Sequence, residues 1–320
     1  MGSKNDINRE NSYIVISDKV LGLPFSKGIM APSIMATGMS PEFAYNIAAL
    51  IEEYLIKNDI TSITIKRLRE VTFSILKERL GEDIAERYMR WQSLGKIGKP
   101  LIILIGGTTG VGKSTIASQI SNRLNITRII PTDAIREVMR GSVSPKLIPS
   151  LRGSCYNAWQ NLSYPLPPGD TVILGYREQT QAVVVGVEAV ISRAIEEGTN
   201  VIIEGAHIAP GYMDIAEFSR AIVIQMIIKV KDLQMHKDHF LIRDIATRGS
   251  RPYLKYIKNM DNIRKIQDYL IEMAAKFGVR VIDSYNLDDT VLEVLELINE
   301  KLKQEFIELN RQSKIVTLKR

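Results

Sequence analysis

The chain has 320 residues, 45% hydrophobic and 24% charged, a globular balance that excludes wholesale disorder, collagen and a continuous coiled coil. Its single cysteine, Cys155, excludes an internal disulfide and any cysteine-cluster metal site. A formal charge of +6 is a small surplus without a block of like charges, so it suits anionic small molecules as well as nucleic acid.

In chain order, the opening MGSKNDINRE is polar and lacks the apolar core of a signal peptide. The longest apolar runs, near 101–105 and 221–228, are strand-sized, so a cytoplasmic protein without membrane spans is expected. Residues 14–20 and 24–30 read as short strands or a hairpin. Ser40-Pro41 is an N-cap followed by proline at the first helical position, and Phe43, Ile47, Leu50, Ile51, Tyr54 and Leu55 follow at helical spacing. A second helix begins after Thr64 and stops at Gly81, and a third carries Ile84, Tyr88 and Trp91 on one face. The glycine- and lysine-rich stretch SLGKIGKP, 93–100, marks a boundary, giving domains of 1–95 and 96–320.

Beyond it, short apolar runs at 101–105, 128–130, 200–204, 221–230 and 279–283 alternate with helical spacing near 180–197, 231–247, 261–277 and 288–309. Strands buried on both faces and separated by helices predict an α/β domain with a parallel sheet and crossover helices. Residues 141–177, with Pro145, Pro149, Pro165, Pro167 and Pro168, read as an irregular insertion of functional length.

Gly107-Thr108-Thr109-Gly110-Val111-Gly112-Lys113-Ser114, followed by Thr115, fits the phosphate-loop pattern G-x-x-x-x-G-K-[ST]. A random chain of this length matches about once in a hundred, and here a buried-strand run precedes the loop and an amphipathic helix follows. Glycines let the backbone turn several N–H groups onto one anion, and the helix adds its positive end. The loop is expected to bind a nucleoside triphosphate, with Lys113 reaching the β- and γ-phosphates and the Ser114 hydroxyl helping to hold Mg²⁺. Glu204, closing the apolar run Val201-Ile202-Ile203, has the form of a metal-supporting carboxylate.

Asp133 follows the second strand of this domain and is expected to orient or deprotonate an acceptor hydroxyl or to hold a metal-bound water; capping its own helix is the alternative role. Arg136, one turn on, is either an acceptor-phosphate ligand or a solvated helix arginine. Arg243, Arg248 and Arg251 surround Gly249-Ser250 and read as a closing lid, with Arg248 on the transferring phosphate and Arg243 and Arg251 towards substrate. A helix end favouring cations is the plainer alternative. Arg152, Tyr156, Arg177, Glu178 and Gln179 of the insertion line either an acceptor site or the core. His207 reads as a hydrogen-bonded structural residue, with contact to the substrate as the alternative. His236 and His239 share a helix face but lack a third ligand for zinc.

Gly106 to Ser114, then IPTDAIR at 130–136 and VIIEGAHIAP at 201–210, together resemble the archaeal 2-phosphoglycerate kinase family. LPFSKGI at 23–29 and ERYMRW at 86–91 are similar to an ATP-cone, a small nucleotide-binding regulatory module found in front of such kinases. The resemblance implies ATP and a divalent cation as cofactors and phosphorylation of 2-phosphoglycerate to 2,3-bisphosphoglycerate, the precursor of cyclic 2,3-diphosphoglycerate. It implies a small-molecule substrate rather than nucleic acid or membrane, and a homodimer is compatible with it. From the residues alone two alternatives stand: a phosphate-loop kinase acting on another phosphorylated metabolite or RNA, and a nucleotide-operated switch.

Overall fold

In a computed structural model, residues 14–17, 22–162 and 168–318 are described. Contacts divide the chain into two compact units, Met1–Lys96 with Arg123–Asn125, and Ile97–Asn122 with Ile126–Arg320.

In the first unit, β1 (Val15–Ser17) pairs antiparallel with β2 (Gly22–Pro24) and parallel with β3 (Ser62–Thr64), which the sequence reading had missed. Residues 18–20 of the expected strand lie outside the described residues. The stretch expected to run as strand through Met30 instead turns helical at α1 (Lys27–Met35). The buried set Met30, Ala31, Ile34 and Met35 explains this correction, because that spacing lies on one side of a helix and not of a strand. Helix α2 (Pro41–Lys57) starts as expected, with Ser40 Oγ accepting from the Phe43 N–H at 3.3 Å. Helix α3 (Ile65–Leu80) is capped by Thr64, and α4 (Glu82–Gln92) begins after Gly81. Ile34, Ala48, Ile51, Leu55, Leu76 and Tyr88 form the core, whereas Phe43 and Tyr54, expected on the apolar face of α2, are exposed. A short helix, α5 (Leu94–Ile97), ends the segment.

The second unit is a five-stranded parallel sheet in the order β5-β6-β4-β7-β8. Its strands are β4 (Leu101–Gly106), β5 (Ile129–Pro131), β6 (Val201–Gly205), β7 (Ile222–Lys229) and β8 (Arg280–Asp283), each close to its expected run. Helix α6 (Lys113–Leu124) follows β4, and α7 (Thr132–Ser142) follows β5. Ile102 and Leu104 pack on one face with residues of α7 and of the long helix Thr171–Glu197, while the last helix, Leu287–Leu318, lies against β7 and β8. The central strand is therefore buried on both faces, as parallel strands usually are.

Helix α8 (Thr171–Glu197) begins nine residues before its expected start. Asp170 Oδ1 accepts from the Val172 and Ile173 N–H groups and nucleates it directly after the proline-rich stretch, so Arg177, Glu178 and Gln179 belong to a helix and not to the insertion. The described part of the insertion forms two single turns of 3-10 helix, Pro149–Arg152 and Ala158–Asn161; Pro165 and Pro167 lie outside the described residues. Helices α9 (Leu233–Ala246), α10 (Tyr253–Ile257), α11 (Met260–Phe277) and α12 (Leu287–Leu318) complete the unit, α10 being absent from the sequence reading. Among the described residues no helix is long and apolar enough to cross a membrane.

Candidate active site

Strand β4 is central in the sheet, and its carboxyl end runs into the loop at 107–112 and then into α6. A tight, amide-exposing turn here requires left-handed backbone, supplied at Gly110 with φ +88° and Gly112 with φ +86°. A Cβ on Gly110 would stand 2.4 Å from the Phe240 ring, so packing as well as φ demands glycine. The N–H groups of residues 108–112 donate no hydrogen bond among the described residues. Thr108 Oγ1 donates to Ile263 O at 3.2 Å, anchoring the loop to α11. Lys113 Nζ donates to Thr108 O at 2.7 Å, folding its ammonium back over its own loop.

Register sets the neighbouring carboxylate. Ile105 of β4 pairs with Glu204 of β6, and Glu204 pairs with Pro131 of β5. Ser114, in the first turn of α6, donates to Glu204 Oε1 at 2.8 Å. A hydroxyl and a carboxylate beside unpartnered amides form the hard-oxygen donor set that Mg²⁺ takes while keeping several waters. The residues present therefore fit a nucleotide triphosphate and its metal. Thr115 lies exposed in the same first turn.

One residue past β5, Thr132 starts α7, so Asp133 sits in its first turn and the N-cap is Pro131. Asp133 makes no capping hydrogen bond, and its side chain is 80% exposed at the carboxyl edge of the sheet. Arg136 is only 12% exposed, which removes the solvated-arginine alternative. Its Nη1 donates to Leu151 O at 3.0 Å, its Nη2 meets Glu137 at 2.7 Å, and its Nε stands 3.6 Å from Asp133 Oδ1. The charges of Asp133, Lys113 and Arg136 all act on Cys155 and His207. Burial, with the Asp133 charge second, pushes the Cys155 thiol up to about 11; it is an inert packing residue whose Sγ is 3.6 Å from Thr109 Oγ1.

Beneath Asp133 runs a buried chain of hydrogen bonds. Gln179 Nε2 donates to Ser150 O at 2.6 Å and Gly153 O at 2.9 Å, so its Oε1 accepts from His207 Nε2 at 3.0 Å. That leaves His207 Nδ1 as acceptor for the Thr132 hydroxyl at 2.8 Å. Burial lowers the His207 pKa to about 4, so the ring is neutral at physiological pH. Gly205 permits the close approach: with φ +156°, a Cβ there would lie 1.8 Å from Thr132 Oγ1. Sequence reasoning left Gln179 undecided; a glutamine at helical spacing between Tyr176 and Val183 was the available signal.

The other insertion residues divide. Tyr156 is buried and edge-on to Tyr256, Arg152 is exposed and reaches Val143 O at 3.4 Å, and Arg177 is exposed and turned towards Tyr212. Of the three arginines expected to form a lid, Arg243 belongs to the last turn of α9 and lies 5.8 Å from the centre of the Tyr256 ring. Arg248 has φ +49° and precedes Gly249 at φ +79°, a paired left-handed turn that reverses the chain. Asp244 Oδ2 accepts from Tyr253 N at 2.9 Å and ties the far side of that turn to α9. Arg251 is exposed, and its charge acts on Tyr256, as does that of Asp133. Beyond the ends of β7 and β8 a cavity of about 410 Å³ is lined by Lys231, Asp232, Leu233, Met235, Asp283 and Tyr285. Ser284, beside it, also abuts Gly112, so the cavity adjoins the loop.

Three archaeal proteins, each named 2-phosphoglycerate kinase, align over most of the chain. The one from Methanopyrus kandleri is 40% identical over 289 residues, 90% of this chain and 88% of the relative. That of Methanothermobacter thermautotrophicus is 40% identical over 286 residues, 89% and 93% of the two chains. That of Pyrococcus horikoshii is 41% identical over 285 residues, 89% and 92%. No protein-family model matches the chain. Among solved structures, shikimate kinase from Acinetobacter baumannii in complex with shikimate has 17% identity and a TM-score of 0.36, covering 64% of this chain and 96% of that one. A gluconokinase from Sinorhizobium meliloti 1021 has 14% identity and a TM-score of 0.37, covering 67% and 98%.

Proposed function

The chain belongs to the 2-phosphoglycerate kinase family, and we propose that it transfers the γ-phosphoryl group of ATP to the free hydroxyl of 2-phosphoglycerate, giving ADP and 2,3-bisphosphoglycerate. The observation that carries the reading is the Ser114–Glu204 pair at 2.8 Å, beside a loop of unpartnered amides and near an exposed aspartate. The amides of 108–112 and the Lys113 ammonium hold the phosphates, and the adjoining cavity takes the nucleoside. Ser114 and Glu204 would hold Mg²⁺, which when bound neutralises phosphate charge.

Asp133 orients the acceptor hydroxyl and takes its proton as the oxygen attacks phosphorus in line; the bond from the γ-phosphorus to the bridging oxygen breaks and ADP leaves. Arg248 neutralises charge on the group in transit, and Arg243 and Arg251 close with it over the substrate. Arg152 is the exposed cation for the acceptor's phosphate. Arg136, with its guanidinium on Leu151 O, serves the acceptor by holding its loop.

Full-length protein supplied with ATP, Mg²⁺ and 2-phosphoglycerate should release ADP and a bisphosphate visible by ³¹P NMR. ATP turnover indifferent to that acceptor would remove the assignment. The first unit, in this reading, is a regulatory nucleotide module of the ATP-cone type. Equilibrium dialysis should then find two ATP per chain, one of them insensitive to Lys113→Ala; a single, loop-dependent site would reject the module.

A further inference from the structure

Two histidines of α9 face carbonyl groups of the phosphate loop. His236 is buried in α9, and its Nε2 lies 2.9 Å from Thr109 O. His239, three residues on and therefore on the same helix face, places Nδ1 2.9 Å from Gly110 O. Carbonyl oxygens only accept, so both ring nitrogens carry the proton: Nε2–H on His236 and Nδ1–H on His239.

Thr109 C=O shares its peptide unit with the N–H of Gly110, and Gly110 C=O shares the next with the N–H of Val111. In a planar trans unit the two dipolar groups point in opposite directions. Whatever pins the carbonyls on the α9 side therefore turns those two N–H groups to the other side. Neither N–H donates a hydrogen bond among the described residues. We propose that His236 and His239 are positioning residues of the phosphate loop, setting the direction of the Gly110 and Val111 amides by gripping the carbonyls behind them. The inference rests on the reading that this loop holds the nucleotide's phosphates.

The surroundings make the grip stiff. Phe240 fills the space under Gly110 and is stacked between the rings of His236, at 5.3 Å and 18°, and Tyr256, at 4.6 Å and 6°. Asp232 caps α9 by accepting from Met235 N at 2.7 Å, fixing the turn from which His236 projects. His236 Nδ1 is buried without a hydrogen-bond partner, so the ring is committed to one donor, and burial keeps it neutral with a pKa near 4. A zinc site at these rings has no support: the nitrogens facing the loop are already donors, and among the described residues no group of three or more metal-binding side chains occurs.

The test uses full-length protein with ADP as the probe, measured calorimetrically without acceptor. His236→Leu and His239→Leu should each weaken ADP binding about tenfold, with KM for ATP rising and KM for 2-phosphoglycerate unmoved. His239→Asn and His236→Gln, which restore an N–H near Nδ1 and Nε2 respectively, should stay within about threefold of wild type. Ring ¹⁵N shifts of the unsubstituted protein should report Nε2–H at His236 and Nδ1–H at His239, and the Gly110 and Val111 amide resonances should move in the leucine variants. Opposite tautomers, or leucine variants that bind ADP normally with unmoved amides, would overturn the proposal. Because the tautomer measurement needs no variant, a misfolded substitution does not shield it. Wild-type protein that binds no ADP would instead defeat the loop reading beneath it.

Discussion

At the carboxyl end of β4, residues 107–114 form a single stretch of chain whose candidate functional groups are backbone amides, one lysine and one serine. On the side of β5, the working space is assembled from four separated stretches: Thr132 to Arg136, the turn at 150–153, Gln179 in α8 and His207 after β6. Amide groups take direction from local φ and ψ, so a short motif can specify an anion cradle. A buried side-chain chain works only if every donor meets an acceptor, and its members arrive from distant parts of the fold. Changes to the loop should therefore remove activity with little loss of stability, whereas changes to the buried chain should cost both.

The sharpest break is Lys113→Ala. Turnover with 2-phosphoglycerate should fall on the order of 10³-fold, while the urea midpoint stays near that of wild type, because the side chain's one intramolecular bond is to a loop carbonyl. Next is Asp133→Asn, expected to lower kcat about 10²-fold with KM for ATP unchanged in steady-state assays. Nearly unchanged kcat would move the proton-accepting role elsewhere.

Gln179→Leu tests the opposite side. It leaves Gly153 O and His207 Nε2–H without partners, while Ser150 O keeps only the Gly153 N–H at 3.4 Å, which should lower stability by about 2–3 kcal/mol in urea unfolding and raise KM for the acceptor more than for ATP. Loss of stability without any change in acceptor KM would detach the buried chain from substrate binding. The mildest effect is on pH. His207 and His236 are held neutral by burial, with pKa near 4 against about 6.5 unfolded. The unfolded chain thus binds more protons between those values, so the stabilisation is complete above about pH 6.5 and lost as pH falls towards 4. Each ring should contribute up to about 1.4 kcal/mol per pH unit over that window, and His207→Gln should flatten the slope by its share.

The loop, the strand order's alternation with helices and the Ser40 and Thr64 caps were all legible, since each depends on residues within a few positions of one another. The helical start at Lys27 was obscured by a three-residue strand just before it, and the start of α8 by nearby prolines that ended before Asp170 took over as cap. Gln179 and the histidine pair of α9 were visible as residues but not as partners, because what they bind lies 26 to 129 positions away in the chain.

Amino-acid order alone determined that a phosphate-loop pattern follows a buried strand, for the left-handed glycines and the lysine are neighbours in sequence and need no distant help to be recognised. Only the folded unit decided that Glu204 meets Ser114, that Arg136 turns inward, and that two imidazoles stand behind the loop. Those outcomes follow from strand register and helix docking, which bring donors to acceptors across the sheet and which no local pattern encodes.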